Sequence, residues 1–223
     1  MKTSRKEREK QDNVVFHHHN FENCTSFKYL GTMITNNNDI SSEIRTRIMA
    51  GNRCLFGLGK ILKLSSLSRF AKKIIYKTIL RPVVTYASEA WVLTIKNENM
   101  LAVWERKVLR KIYGPYFYNG QFRSRTNKEL MEIYGEPSIV SFIKKGRLRW
   151  LGHLERMPES SLPKRALYGH PGGTRKRGRP RLRWLQDVED DLRRVGCRRW
   201  RQRAQDRDEW FQLIEEAQAL HGL

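Results

Sequence analysis

Residues 40–62, ISSEIRTRIMAGNRCLFGLGKIL, decide how the fold is read. Ile40, Ile44 and Ile48 recur every fourth residue, and Leu55, Leu58 and Leu62 continue the stripe. That is the spacing of one face of an α-helix. Gly51, Gly57 and Gly59 weaken the helix, so a break is expected near 57–59. Ahead of it, Phe27-Lys28-Tyr29-Leu30-Gly31-Thr32-Met33-Ile34 alternates and runs into Asn36-Asn37-Asn38, which fits a short strand or hairpin arm closed by a turn. Met1 to Gln11 mixes charges of both signs without an apolar period and reads as disordered; residues 1–20 are taken as a disordered lead.

Behind the central helix the same period recurs. Ser68 is a suitable N-cap for a helix carrying Phe70, Ile74, Ile75 and Ile79 up to Pro82. After the apolar run from Pro82 to Leu93, Asn97 is expected to cap a third helix with Leu101, Trp104, Val108, Leu109 and Ile112 on one face, ended by Gly114-Pro115. Residues 115–125 read as an aromatic-rich loop. Thr126 and Glu129 have capping-box spacing for a short helix with Leu130 and Ile133, closed by Gly135. Ser138 opens a further helix with Ile139, Phe142, Ile143, Trp150, Leu151 and Leu154, ending at Met157-Pro158. From 159 to 181, Pro and Gly punctuate a basic stretch that reads as a linker or binding loop, and two helices are expected over 182–195 and 198–220. The expected fold is therefore mainly α: a short β-hairpin and helical bundle over 21–158, the basic loop 159–181, and a C-terminal helical module 182–223.

The 223 residues carry a formal net charge of +21, with a pI near 10.3 and 10% aromatic residues. A folded chain so charged repels itself unless a polyanion offsets the excess, which puts nucleic acid first among partner classes and an anionic membrane surface second. Between Lys164 and Arg207 there are 15 Lys plus Arg against five Asp plus Glu, a concentration that suggests a dedicated electrostatic surface. Cys24, Cys54 and Cys197 are too few and too scattered for a disulfide framework. The N-terminus has no signal-peptide h-region, and Arg81, Pro82 and Glu89 interrupt the longest apolar run. The expectation is a soluble intracellular protein, nuclear rather than cytoplasmic, with no membrane partner.

The sharpest local feature is Arg175-Lys176-Arg177-Gly178-Arg179-Pro180-Arg181, with Arg183 beyond it. Pro180 extends Arg179, and Gly178 permits close approach, so the ribbon can lie in a narrow A·T minor groove. It resembles the core of an AT-hook; a nuclear-localisation patch or a solvated loop are the plainer readings. Six cations on phosphate correspond to a log–log salt slope of roughly −5. Lys144, Lys145, Arg147 and Arg149 form a second candidate phosphate-binding cluster, against the alternative of an ordinary solvated face, with Trp150 beside them assigned to the core. Asp190-Asp191, flanked by Arg193 and Arg194, reads as a salt-bridged surface rather than a metal site. His17, His18 and His19 with Cys24 lack the spacing of a zinc site. No catalytic constellation, metal site or cofactor motif is expected.

Six strings together carry a resemblance. Phe27-Lys28-Tyr29-Leu30-Gly31 is followed by Glu43-Ile44-Arg45-x-Arg47-Ile48 and then by Leu80-x-Pro82-x-x-x-Tyr86-Ala87-x-Glu89-x-Trp91. With Arg147-Leu148-Arg149-Trp150-Leu151-Gly152-His153-Leu154-x-Arg156-Met157, Gly178-Arg179-Pro180-x-x-Arg183-Trp184-x-x-Asp187-Val188 and Ala204-x-Asp206-Arg207-x-x-Trp210, they look like the region after the palm in non-LTR (LINE-type) retrotransposon reverse transcriptases. The match runs over roughly 21–213. It implies a hairpin near the primer end, a thumb that grips a template–primer duplex by its backbone, and a C-terminal region engaging nucleic acid during integration. In that family the Tyr-x-Asp-Asp motif and its partner Asp lie upstream of the position of Phe27, and an endonuclease domain lies further upstream. The cysteine spacing of a C-terminal zinc knuckle is absent. The resemblance thus implies a fragment without polymerase activity that binds DNA or RNA. The alternative is a domesticated nuclear DNA-binding or scaffold protein using the Arg-Gly-Arg-Pro loop; basic helices lying on anionic membrane are the third and weakest idea.

Overall fold

A computed structural model describes residues 14–169 and 183–219. The molecule is mainly helical, with short antiparallel strand pairs. Two hairpins come first: β1 (Val14–Phe16) with β2 (His19–Phe21), and β3 (Ser26–Tyr29) with β4 (Thr32–Thr35). The first takes up the end of the expected lead, since residues 14–21 pair in register, while residues 1–13 of that lead lie outside the described residues. The second is the expected arm, with Phe27 opposite Ile34 and a two-residue turn at Leu30-Gly31, both at positive φ (46° and 83°). Such turns match the twist of the strands they join.

Asp39 accepts a hydrogen bond from the Ser41 amide and starts α1 (Ile40–Gly57). The stripe then breaks where the glycines predict, and α2 (Gly59–Lys63) follows Leu58. Ser68 caps α3 (Arg69–Ile75) by accepting from the Ala71 amide. The helix does not stop before Pro82. It widens into a π-helical segment, Tyr76–Leu80, and resumes as α4 (Arg81–Val84) with Pro82 in its first turn. The extra residue in the wide turn carries the chain past a proline that cannot donate. A 3₁₀ turn, Ser88–Ala90, leads to α5 (Ile95–Tyr113). Its cap is Thr94 rather than Asn97: the Thr94 hydroxyl accepts the Asn97 amide, placing Asn97 inside the first turn.

Residues 115–125 are not a loop. Tyr116–Tyr118 (β5) pairs with Gln121–Arg123 (β6) across Asn119-Gly120, the dipeptide best suited to two successive positive φ angles. The capping box at Thr126 and Glu129 is formed and opens α6 (Asn127–Tyr134), which Gly135 ends in the left-handed region. Ser138 caps α7 (Ile139–Glu155). Within the stretch expected to be linker lies α8 (Leu162–Tyr168), where Lys164 is buried and donates to the carbonyls of Glu155 and Met157 (2.8 and 3.1 Å). A cation there satisfies the open C-terminal end of α7. The last elements are α9 (Trp184–Arg194), α10 (Trp200–Gln205) and α11 (Arg207–Ala219). The single helix expected over 198–220 is split because Asp206 accepts the amides of Asp208 and Glu209 and caps a new start.

Two apolar clusters form the interior, and α7 belongs to both. Ile139 and Ile143 pack with Leu101, Trp104 and Leu109 in the first, while Leu148 and Leu151 pack with Val188, Leu192 and Trp210 in the second. Close approach is built in at two glycines. A Cβ on Gly51 would meet Val84 and lie 2.8 Å from Trp104 Cζ2, and one on Gly152 would fall inside the Trp210 indole. The free thiols Cys24, Cys54 and Cys197 make no disulfide. No described helix is long and apolar enough to cross a membrane.

Candidate nucleic-acid interface

Where the two clusters meet, α7 carries Lys144 and Arg147, one turn apart. Both point inward: Lys144 is 5% exposed and Arg147 1%. Lys144 Nζ lies 3.1 Å from Glu98 and 3.2 Å from Asp191, and Arg147 lies 2.6 Å from Asp187 and 3.5 Å from Asp191. Asp187 also accepts the Leu93 amide at 3.1 Å, so one network joins α5, α7 and α9 to the chain entering α5. Burial pushes the Asp191 carboxyl up, while Lys144 and Arg147 pull it down. Lys144 and Arg147 therefore leave the set of candidate phosphate ligands, because their charge is matched inside the protein. Asp191 likewise belongs to the interior rather than to a salt-bridged surface, whereas Asp190 does pair outside, with Arg193 at 2.9 Å.

The other two members of that cluster face outward. Lys145 is half-buried against Glu215 (2.7 Å), and Arg149 is exposed, 3.8 Å from the same carboxylate. Trp150 is 38% exposed beside His153 rather than in the core. Arg183 stands at the N-cap of α9, its amide donating to Gln186 Oε1 at 3.4 Å. Arg175, Lys176, Arg177, Arg179 and Arg181 lie outside the described residues.

The surplus positive charge of the described residues is borne at the surface. Arg45, Arg53, Lys60 and Lys63 are exposed along α1 and α2, and Arg198, Arg199 and Arg207 along the C-terminal helices; among the described residues none of them enters an ion pair. Many carboxylates, by contrast, are already engaged: Glu43 with Arg47, Glu136 with Lys73 and Lys77, Glu129 with Arg123, Glu189 with Arg201, Glu209 with Arg203. Sequence reasoning missed a further basic stretch. Arg106 to Lys128 holds seven Lys or Arg and no Asp or Glu, a signal that a running charge count would have found. No group of three His, Cys, Asp or Glu among the described residues could hold a metal ion.

The strings that carry the resemblance converge on joints. Arg47 donates to the Gly31 carbonyl (2.7 Å), pairs with Glu43 and lies over the Tyr86 ring at 4.5 Å; Tyr86 donates to the Leu30 carbonyl, and Glu43 accepts the Met33 amide. The β3–β4 turn is thus bolted to α1 and to the chain after α4. At the other end, Trp184 donates to the Glu89 carbonyl, Trp210 to that of Leu148, and Arg156 to that of Ala204.

Over 202 residues the chain is 24% identical to a transposon-derived protein of Caenorhabditis elegans, a match covering 86% of this chain and 71% of that one. No family model matches the chain. No solved structure matches it either. The similarity points to a transposable element as the origin of the chain.

Proposed function

We propose that the chain is the thumb and C-terminal region of a non-LTR retrotransposon reverse transcriptase, which binds DNA or RNA through backbone contacts and performs no polymerisation by itself. The observation that carries this reading is the division of charge: buried Lys144, Arg147 and Lys164 are matched to carboxylates, while Arg45, Arg53, Lys60, Lys63, Arg198, Arg199 and Arg207 stand exposed outside the ion pairs of the described residues. Similarity to a transposon-derived protein supports the element origin. The meeting of Gly31, Glu43, Arg47 and Tyr86 at one joint supports the thumb assignment, since residues far apart in the matching strings form a single contact set. Of the ten cations first picked out, Arg149 and Lys145 remain at the described surface with Arg183 at the start of α9, and the run Arg175–Arg181 lies outside the described residues.

Filter binding of the full chain to DNA, RNA and hybrid duplexes across a salt series tests the proposal. Engagement of about six phosphates gives a log–log slope of roughly −5 on every duplex. Absence of binding at low salt removes the reading. The sequence Arg177-Gly178-Arg179-Pro180 favours one second reading, a nuclear DNA-binding protein that uses this run in the minor groove. It predicts preference for A·T-rich duplex that Arg179→Ala abolishes, and equal affinity for A·T and G·C duplex excludes it.

A further inference from the structure

The β5–β6 hairpin presents aromatic rings to solvent that neither apolar cluster uses. By register, Phe117 faces Phe122 on one side of the ribbon, with ring centroids 4.8 Å apart. They are 57% and 74% exposed. On the other side Tyr116 stacks on Tyr118 at 6.2 Å and 20°, and Tyr118 is 59% exposed. Burying a phenyl ring is ordinarily favourable, so two held in water leave apolar surface open to a ligand.

The ribbon is also fixed in place. Arg123 pairs with Glu129 through both oxygens (3.0 and 2.5 Å) and lies 4.8 Å over the Tyr116 ring, holding that carboxyl down at about 2. Arg125 covers the same ring at 5.3 Å while donating to the Gly114 carbonyl, and Arg110 donates to Asn127 Oδ1 at 2.8 Å. These contacts tie both ends of a small hairpin to α5 and α6. Around it runs the stretch Arg106–Lys128 with no carboxylate, in which Lys107, Lys111 and Lys128 are exposed.

Rings at the surface with cations around them are the chemistry of a base-stacking platform, in which cations track the sugar–phosphate backbone while bases lie on aromatic faces. A duplex offers its bases already stacked. We infer that the β5–β6 hairpin binds unpaired nucleotides of single-stranded nucleic acid, with bases stacking on Phe117, Phe122 and Tyr118. The inference rests on the nucleic-acid reading above and deepens it by naming a strand class and a site.

The test uses the full chain, an oligothymidylate of about 20 nucleotides and a duplex of the same length. The variants are Phe117→Ala/Phe122→Ala and the conservative Phe122→Trp, with melting temperature checked to show that they fold. Stacking is worth at least about 1 kcal/mol per base, so the double alanine variant should bind the single strand about fivefold more weakly or worse and leave duplex affinity unchanged. Phe122→Trp should retain single-strand binding, and 2-aminopurine in the oligonucleotide should be quenched by the wild type and not by the double variant. Unchanged single-strand affinity, or equal weakening on both nucleic acids, overturns the inference. Wild-type binding to duplex but not to oligothymidylate overturns it alone, leaving the functional proposal standing; binding to neither removes both.

Discussion

Glu105 is a carboxylate placed where its charge is costly. It is buried, accepts the Tyr76 hydroxyl at 2.7 Å, and takes the Ile139 amide on both oxygens at 2.9 and 3.0 Å. Burial raises its pKa above 4.5, and the Ile139 and Tyr76 hydrogen bonds with Arg81 and Arg106 only partly oppose that. The folded state therefore holds this proton more tightly than the unfolded chain. The contribution is fully present below about 4.5 and is lost as pH rises through the folded value. Glu105→Gln keeps an acceptor for Ile139 and removes the ionisation. Its melting temperature relative to wild type should climb between pH 4 and 7; a constant difference would show that Glu105 is not strained by ionisation. Glu105 was half legible. It lies four residues from both Leu101 and Leu109, on the apolar face, but Glu105-Arg106-Lys107 in one dimension looks like a solvated charge cluster, and nothing announces the distant amide of Ile139.

Among the elements, the network of Glu98, Lys144, Arg147, Asp187 and Asp191 fastens α9 to α7. Removing one partner of a buried pair leaves the other charge stranded, at a cost of about 3–5 kcal/mol. Asp191→Ala should lower stability by that order in urea denaturation. Lys144→Met/Asp191→Asn, which removes both charges and nearly keeps both volumes, should recover much of it; a double variant as weak as the single one would place the cost in packing. The helix itself was readable, from the Ser138 cap to Met157-Pro158. The direction of its cations was not, because the rule that polar residues face water fails where two apolar clusters abut along one helix. A clue existed: Lys144 and Arg147 are three residues apart on α7 and Asp187 and Asp191 four apart on α9, so each helix offers a pair of like charges on one face, complementary to the other pair. For the β5–β6 hairpin the missed signal was Asn119-Gly120 between aromatic residues, the strongest short-range hairpin pattern, overlooked because the strands are only three residues long.

For the whole molecule the governing quantity is +21. Charges of one sign on a compact body oppose compactness, and salt or a bound polyanion relieves them. Duplex DNA at a hundredfold excess over its Kd should add about 2.7 kcal/mol of stability, which for a chain of this size is a rise of roughly 5–10 °C in melting temperature at low ionic strength. The rise should shrink as NaCl is added; a melting point indifferent to DNA would separate the net charge from any binding surface. The resemblance gains physical content at this scale too. Its quoted strings prove to be joints, Arg47 with Gly31 and Tyr86, Trp210 with Leu148, so they specify how the fold closes. The aromatic hairpin lies outside them, as do Arg53, Lys60, Lys63, Arg198 and Arg199, whereas Arg45, Arg149 and Arg207 fall within them.

The helix shared by both apolar clusters, α7, is 17 residues long, about 25 Å at 1.5 Å per residue. As a continuous rod it runs from one cluster into the other, Ile139 and Ile143 in the first and Leu148 and Leu151 in the second, so neither can slide along its neighbour without bending a helix.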